Sequence, residues 1–386
     1  MKLLTTISLL SLTIALLACN GDDADDTKPD GGDDKIIYTC RYDNKFAGPD
    51  CKEYIGTNWD DPDAREADCG AGFVEENAII VEGACPESVK VEGEDKEKKG
   101  VCHAGKDGPE AYDLYSYDGD LGALQVACEN HMLGEWESLT DDITTIDVHE
   151  TLPEAFDALV STDKVEVSSQ CQDEECLMQM MENKETFDFT PLDAEPTKGF
   201  IFYPGGNVDP RAYAPSALAL AETGIFISIV PMEKYLALSG FMRADDVKAL
   251  HPQIKTWFVG GHSMGGTMAA RYASTATGKN IDGLIIWASI ADESYDISDS
   301  GIPTLSIHAT LDQGNDPAQV KAYAHVLPAD TVYICIDGGD HSQFGYYTDD
   351  NPPATITREA QQKQIIEPTS QFIHDPASVS GVECSS

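Results

Sequence analysis

From Leu152 onward the chain alternates short apolar runs with stretches whose apolar residues recur every three or four positions. The runs read as strands: VEV at 165–167, FDF at 187–189, GFIFYPGG at 199–206, IFISIV at 225–230, WFVGG at 257–261, GLIIWAS at 283–289, TLSIHAT at 304–310 and TVYICIDG at 331–338. Several are apolar at consecutive positions, the pattern of a strand buried on both faces. Between most of them lie helix-period segments such as APSALALAETG, MAARYASTATG and PAQVKAYAHVL. This alternation predicts an α/β fold over residues 151–386, a mostly parallel eight-stranded sheet with helices on both faces.

The pattern before residue 150 is different. From about Ile36 to Ser138 the chain is polar, lacks long apolar runs and holds Cys40, Cys51, Cys69, Cys85, Cys102 and Cys128. A thin core stapled by disulfides accounts for that texture, so residues 36–150 are expected to form a small disulfide-rich module. A weak internal repeat is visible in it: Ala64 and Ala123 stand five residues before Cys69 and Cys128, with Phe73 and Trp136 following. Tyr112, Tyr115, Tyr117 and Trp136 are suited either to stacking on a sugar or polymer or to filling the module's own core. Further on, QCQDEECLMQMMENKE reads as a disulfide-closed bend entering a short helix; Cys171 is expected to pair with Cys176, and Cys335 with Cys384.

The amino terminus has its own pattern. Lys2 precedes an apolar stretch from Leu3 to Leu17, too short for a comfortable membrane span, and Ala18 precedes Cys19. Residues 1–18 therefore read as a secretion signal, and Leu16, Leu17, Ala18 and Cys19 resemble the lipobox of bacterial lipoproteins, which implies lipidation of Cys19. Residues 19–35, beginning NGDDADD after that cysteine, look like a solvated acidic tether. The expected location is the bacterial cell envelope, at the outer membrane, held there through the lipid. Of 11 cysteines, ten remain after Cys19, an even number suited to pairing in an oxidising compartment. The net charge of −43 repels phosphate backbones and argues against a nucleic-acid partner. No metal site or cofactor is expected, since no C-x-x-C occurs and no histidine–cysteine spacing suits zinc.

One stretch carries chemistry. In WFVGGHSMGGTMAARYA a buried strand becomes a helix at Ser263, which stands between Gly261 and Gly265 in the pattern G-x-S-x-G. A sharp strand-to-helix corner exposes the serine oxygen above a helix N-terminus, and glycines two residues to either side let strand and helix approach. The hydroxyl needs a base, and the base an acid that fixes its tautomer. His341 follows the eighth strand in a glycine-rich loop and is the candidate base. Asp312 follows the seventh strand and is the favoured acid; Asp292, after the sixth, is its rival. Two backbone N–H groups must await the oxyanion. Met264 supplies one and Gly206 the other, with Gly205 second, because Pro204 has no N–H.

Taken together, FYPGGNVDPRAY, WFVGGHSMGGTMAARYA, the aspartate of LDQGND and GGDHSQFGYY with the later ATITREAQQ resemble an α/β-hydrolase of the bacterial dienelactone-hydrolase-like group, over about 152–375. The PGG and GHSMGG pair is also similar to cutinase-like polyester-degrading enzymes. The resemblance implies an acyl hydrolase with Ser263, Asp312 and His341 as its triad, although dienelactone hydrolases proper use a cysteine nucleophile. The stretch ASIADESYDISDSGIP is too short for a helical lid, so an open site is expected. Tyr235, Leu236, Phe241 and Phe344 are candidates for an apolar acyl pocket. The expected function is a serine hydrolase that cleaves small or polymeric uncharged carboxylic esters through an acyl-serine intermediate. The alternative is a surface binding protein on an inactive hydrolase scaffold.

Overall fold

The computed structural model describes residues 36–44, 48–69, 74–91, 94–105, 108–117, 124–125, 127–132, 134–139, 148–349 and 352–384. Cys19, the signal segment and the acidic tether lie outside these residues, as do Phe73 and Ala123 of the weak repeat.

The cysteine-rich part is built on strands. β1 (Tyr38–Asn44), β2 (Gly48–Tyr54), β3 (Val74–Glu82), β6 (Gly100–Ala104), β7 (Tyr112–Ser116) and β8 (Glu135–Ser138) form an antiparallel sheet in the order β3-β1-β2-β7-β6-β8, while β4 (Ser88–Val91) and β5 (Glu94–Glu97) make a separate hairpin. Three disulfides join Cys40 to Cys69, Cys51 to Cys85 and Cys102 to Cys128, and each lies in one of three small apolar clusters. A core divided this way needs covalent staples, each worth about 2–4 kcal/mol. The aromatic candidates are taken up in packing. Tyr117 is fully buried, Trp136 covers Gly100, and Lys52 and Lys98 sit over the rings of Tyr112 and Tyr115 at 3.7 and 4.2 Å.

The second sheet contains β9 (Val165–Val167), β10 (Phe187–Pro191), β11 (Lys198–Tyr203), β12 (Phe226–Ile229), β13 (Thr256–His262), β14 (Gly283–Trp287), β15 (Thr304–Ala309) and β16 (Val332–Ile336). Its order is β16-β15-β14-β13-β11-β12-β10-β9; β11 to β16 are parallel, and β10 runs antiparallel to both of its neighbours. All eight strands fall on the apolar runs of the sequence. Successive residues of one strand enter opposite cores: Phe200 and Phe202 join Trp287, Phe187 and Phe372 on one face, while Ile201 and Tyr203 join Val259, Met268 and Ile286 on the other. Burial on both faces therefore explains why the runs of β11 to β15 are continuously apolar, whereas β9 and β10 alternate.

β11 neighbours both β12 and β13, so the chain reverses its direction of travel across the sheet between them. The carboxyl ends of β11 and β13 consequently flank a crevice, where open α/β sheets place their ligands. Beyond β16, Val382 pairs with Ile334 in a parallel bridge, and the Cys335–Cys384 disulfide holds this tail against the sheet edge. The Cys171–Cys176 disulfide closes the bend before the helix Glu174–Glu182. No helix among the described residues is long and apolar enough to cross a membrane.

Candidate active site

At the end of β13 the backbone of Ser263 takes φ 52° and ψ −126°, a left-handed conformation that a side chain rarely adopts and that costs on the order of 1–3 kcal/mol. The helix Met264–Ser274 begins at the next residue. A Cβ on Gly265 would lie 2.0 Å from the Tyr203 carbonyl oxygen, and one on Gly261 2.4 Å from the same atom. The corner thus forces glycine at both positions, because β11, β13 and the helix meet there backbone to backbone.

Ser263 and His341 line one cavity of about 460 Å³, together with His149, Gly206, Val208, Gln313, Tyr347 and Asp349. His341 Nδ1 lies 2.8 Å from Asp312 Oδ2. The other carboxylate oxygen of Asp312 accepts from the N–H groups of Gly314 and Asn315, each at 3.0 Å, so this buried side chain has little freedom to turn. Asp292 is occupied elsewhere, where it caps the short turn Glu293–Tyr295 through the N–H of Ser294. The carboxylate beside the candidate base is therefore that of Asp312. Burial pushes the His341 imidazole down, but its hydrogen bond to Asp312 and the charges of Asp312, Asp349 and Asp340 outweigh burial and hold it above its ordinary value.

The base loop is braced from the helix Arg358–His374. Gln361 accepts from the Asp340 N–H at 3.0 Å and donates to the Asp340 carbonyl at 2.7 Å. Gln362 donates to the carbonyl of Gln343, and Arg358 to those of Ser342 and Tyr347. The sequence resemblance included this segment without assigning these contacts.

The loop after β11 is tied to the serine corner. Tyr213 Oη accepts from the Gly205 N–H at 3.0 Å and lies 2.8 Å from His262 Nδ1. Burial raises the Tyr213 phenol, so it keeps its proton. The arrangement that leaves fewest buried groups unpaired has the Tyr213 hydroxyl donating to Nδ1. Burial, with the nearby imidazoles of His341 and His149, holds His262 well below its ordinary value and keeps it neutral. Its ring packs 4.4 Å from that of His341 and stacks on Phe344. The Gly205 N–H is thus already bonded, whereas Gly206 lines the cavity.

None of the four apolar candidates is among the described residues that line this cavity. Tyr235 is buried with its hydroxyl on Glu174, and Phe344 is buried against His262. Phe241 packs under the Arg271 guanidinium at 4.1 Å, and Leu236 is buried behind Gly206. Tyr235, Leu236 and Phe344 are buried and Phe241 is partly buried, because removing large apolar side chains from water stabilises the fold. Sequence reasoning missed His149, Gln313 and Asp349. Gln313 and Asp349 lie close in sequence to Asp312 and His341, whereas nothing in the sequence pattern connects His149, more than a hundred residues before Ser263, with the site. It arrives because residues 149–152 pair with the backbone of Asn207 and of residues 346–348.

Residues 199–363 match the model of the Alpha/beta hydrolase family. The eight-stranded sheet and its helices form an α/β-hydrolase fold. Among solved structures, this hydrolase fold is similar to Est1E from Butyrivibrio proteoclasticus with ferulic acid bound, at 13% identity and a TM-score of 0.38 over 50% of this chain and 96% of that one. It is also similar to the esterase domain of a Rhodothermus marinus protein, at 12% identity and a TM-score of 0.38 over 49% of this chain and 92% of that one. No curated protein sequence matches the chain. Among the described residues, the one histidine, cysteine and carboxylate grouping with metal-ligand spacing is His308, Cys335 and Cys384, and its two cysteines are joined in the disulfide.

Proposed function

We propose that the protein is a serine hydrolase of uncharged carboxylic esters. The observation that carries this reading is the 2.8 Å hydrogen bond from His341 to Asp312 in a loop that shares its cavity with Ser263, a serine held on a strained corner. His341 takes the Ser263 proton as the hydroxyl oxygen bonds to the ester carbonyl carbon, and Asp312 stabilises the imidazolium that forms. The N–H groups of Met264 and Gly206 receive the oxyanion. The alcohol leaves with the proton from His341, and water attacks the acyl-serine by the same route in reverse. Among the described residues Ser263 and His341 share no hydrogen bond, a state common before substrate draws such groups together. Labelling of the chain by a fluorophosphonate and turnover of short p-nitrophenyl esters test the reading. Both are expected for the native chain and lost in Ser263→Ala; labelling that persists in the variant refutes it.

The same reading places the chain on the bacterial cell envelope through lipidated Cys19, with residues 36–150 as an accessory module on an acidic tether. Support comes from the lipobox-like residues Leu16 to Cys19 and the even count of the remaining cysteines. Replacing Cys19 with serine is expected to abolish incorporation of labelled fatty acid, and unchanged labelling counts against the anchor.

A further inference from the structure

The cavity beside Ser263 has the volume of a small-molecule site but an uncommon lining for one. Of its eight described lining residues, six carry polar side chains: His149, Ser263, Gln313, His341, Tyr347 and Asp349. Val208 is the one aliphatic side chain among them, and Tyr235, Leu236 and Phe344, large apolar residues near the cleft, are buried in packing. After Ser263 and His341 are assigned to bond making, His149, Gln313, Tyr347 and Asp349 remain on the walls and make or break no bond in that scheme. A long acyl chain in this space strips water from those groups and returns no hydrogen bonds. Hydroxyl groups, by contrast, can both donate to a carboxylate or amide oxygen and accept from an amide or imidazole N–H. Asp349 also adds a negative charge at the cavity of a chain that already carries −43, so an anionic ligand is repelled.

We propose that the cavity takes a compact, uncharged ester bearing several free hydroxyl groups, such as an O-acetylated sugar, with Gln313 and Asp349 binding those hydroxyls. This rests on the ester-hydrolase reading of Ser263 and goes beyond it by naming the substrate class. The reaction itself balances as ordinary hydrolysis: the sugar oxygen regains a proton, and acetate carries the oxygen of water.

The test compares kcat/KM of the full chain on glucose monoacetate, ethyl acetate and glucose mono-octanoate. Glucose monoacetate is expected to lead both others by at least about tenfold, since sites built to bond hydroxyls discriminate strongly against analogues that lack them. Gln313→Ala is expected to bring the ratio of glucose monoacetate to ethyl acetate towards one. Asp349→Asn is expected to lower that ratio and to raise relative turnover of glucose monosuccinate, whose charge the native carboxylate repels. A native ratio near one, or a preference for the octanoate, overturns the substrate class while the ester-hydrolase reading stands. Failure to turn over any ester, with no fluorophosphonate labelling, overturns both.

Discussion

The Tyr213 hydroxyl lies 2.8 Å from His262 Nδ1 and also receives the N–H of Gly205, so one side chain joins the turn that carries Gly206 to the residue before Ser263. Removing it releases two buried groups at once. Tyr213→Phe is expected to lower stability by about 1–3 kcal/mol through the unpaired Gly205 N–H and His262 Nδ1. It is also expected to lower kcat by roughly tenfold, because a displaced oxyanion donor is worth about that or more. KM is expected to move little. Thermal unfolding and steady-state kinetics check the pair of effects; a changed KM with unchanged kcat counts against the positioning role.

Ser263, His341 and Asp312 act as a unit in the proposed mechanism, so their losses do not add. Ser263→Ala and His341→Ala are each expected to reduce kcat by about 10⁴–10⁶, with the double variant little worse than either. Asp312→Asn is expected to cost on the order of 10⁴, whereas Asp292→Asn, whose side chain caps a surface turn, stays near native. If Asp292→Asn proves the more damaging, the acid assignment fails and the hydrolase reading remains.

Activity is expected to rise with pH as His341 loses its proton, with a midpoint above the ordinary value of about 6.5. The sign follows from Asp312, Asp349 and Asp340, whose bond and charges outweigh burial and hold the imidazolium form in place. Asp349→Asn removes one of those charges and is expected to shift the midpoint of kcat/KM downward. An upward shift contradicts the electrostatic account.

The corner tolerates no Cβ. Gly265→Ala places a methyl 2.0 Å from the Tyr203 carbonyl oxygen and 2.4 Å from that of Pro204, both backbone atoms that cannot swing aside. We expect destabilisation of more than about 2 kcal/mol together with loss of ester turnover, read by thermal unfolding and by p-nitrophenyl acetate hydrolysis. Native activity in this variant is incompatible with the described corner.

No described residue of the C-terminal tail lines the cavity. Cys335→Ala with Cys384→Ala opens a loop of 49 residues and frees the strand-like pairing at Val382. A loss of about 2–4 kcal/mol in stability is expected with ester turnover retained. Differential scanning calorimetry and kinetics of the double variant measure both.

By itself the sequence determined the local elements. All eight strands of the large sheet were legible because most are apolar on consecutive residues and β9 and β10 alternate apolar with polar, and the corner at Ser263 was legible because only glycine fits at 261 and 265. The chain order of serine, aspartate and histidine was legible too, since loops that follow parallel strands gather at one sheet end. Tertiary structure decided what depends on distance across the fold. Which carboxylate stands beside His341, that of Asp312 and not that of Asp292, turned on which loop reaches it. The three disulfides of the first third turned on strand pairing that spacing alone leaves open. Side-chain placement near the cleft has the same origin: Tyr235, Leu236 and Phe344 are buried and Phe241 is partly buried, because solvent exclusion acts on the completed fold. His149 reached the cavity only because its segment pairs with residues far along the chain. Hydrophobic period is a local property of the chain, whereas side-chain direction at a loop is set by whatever the completed core leaves room for.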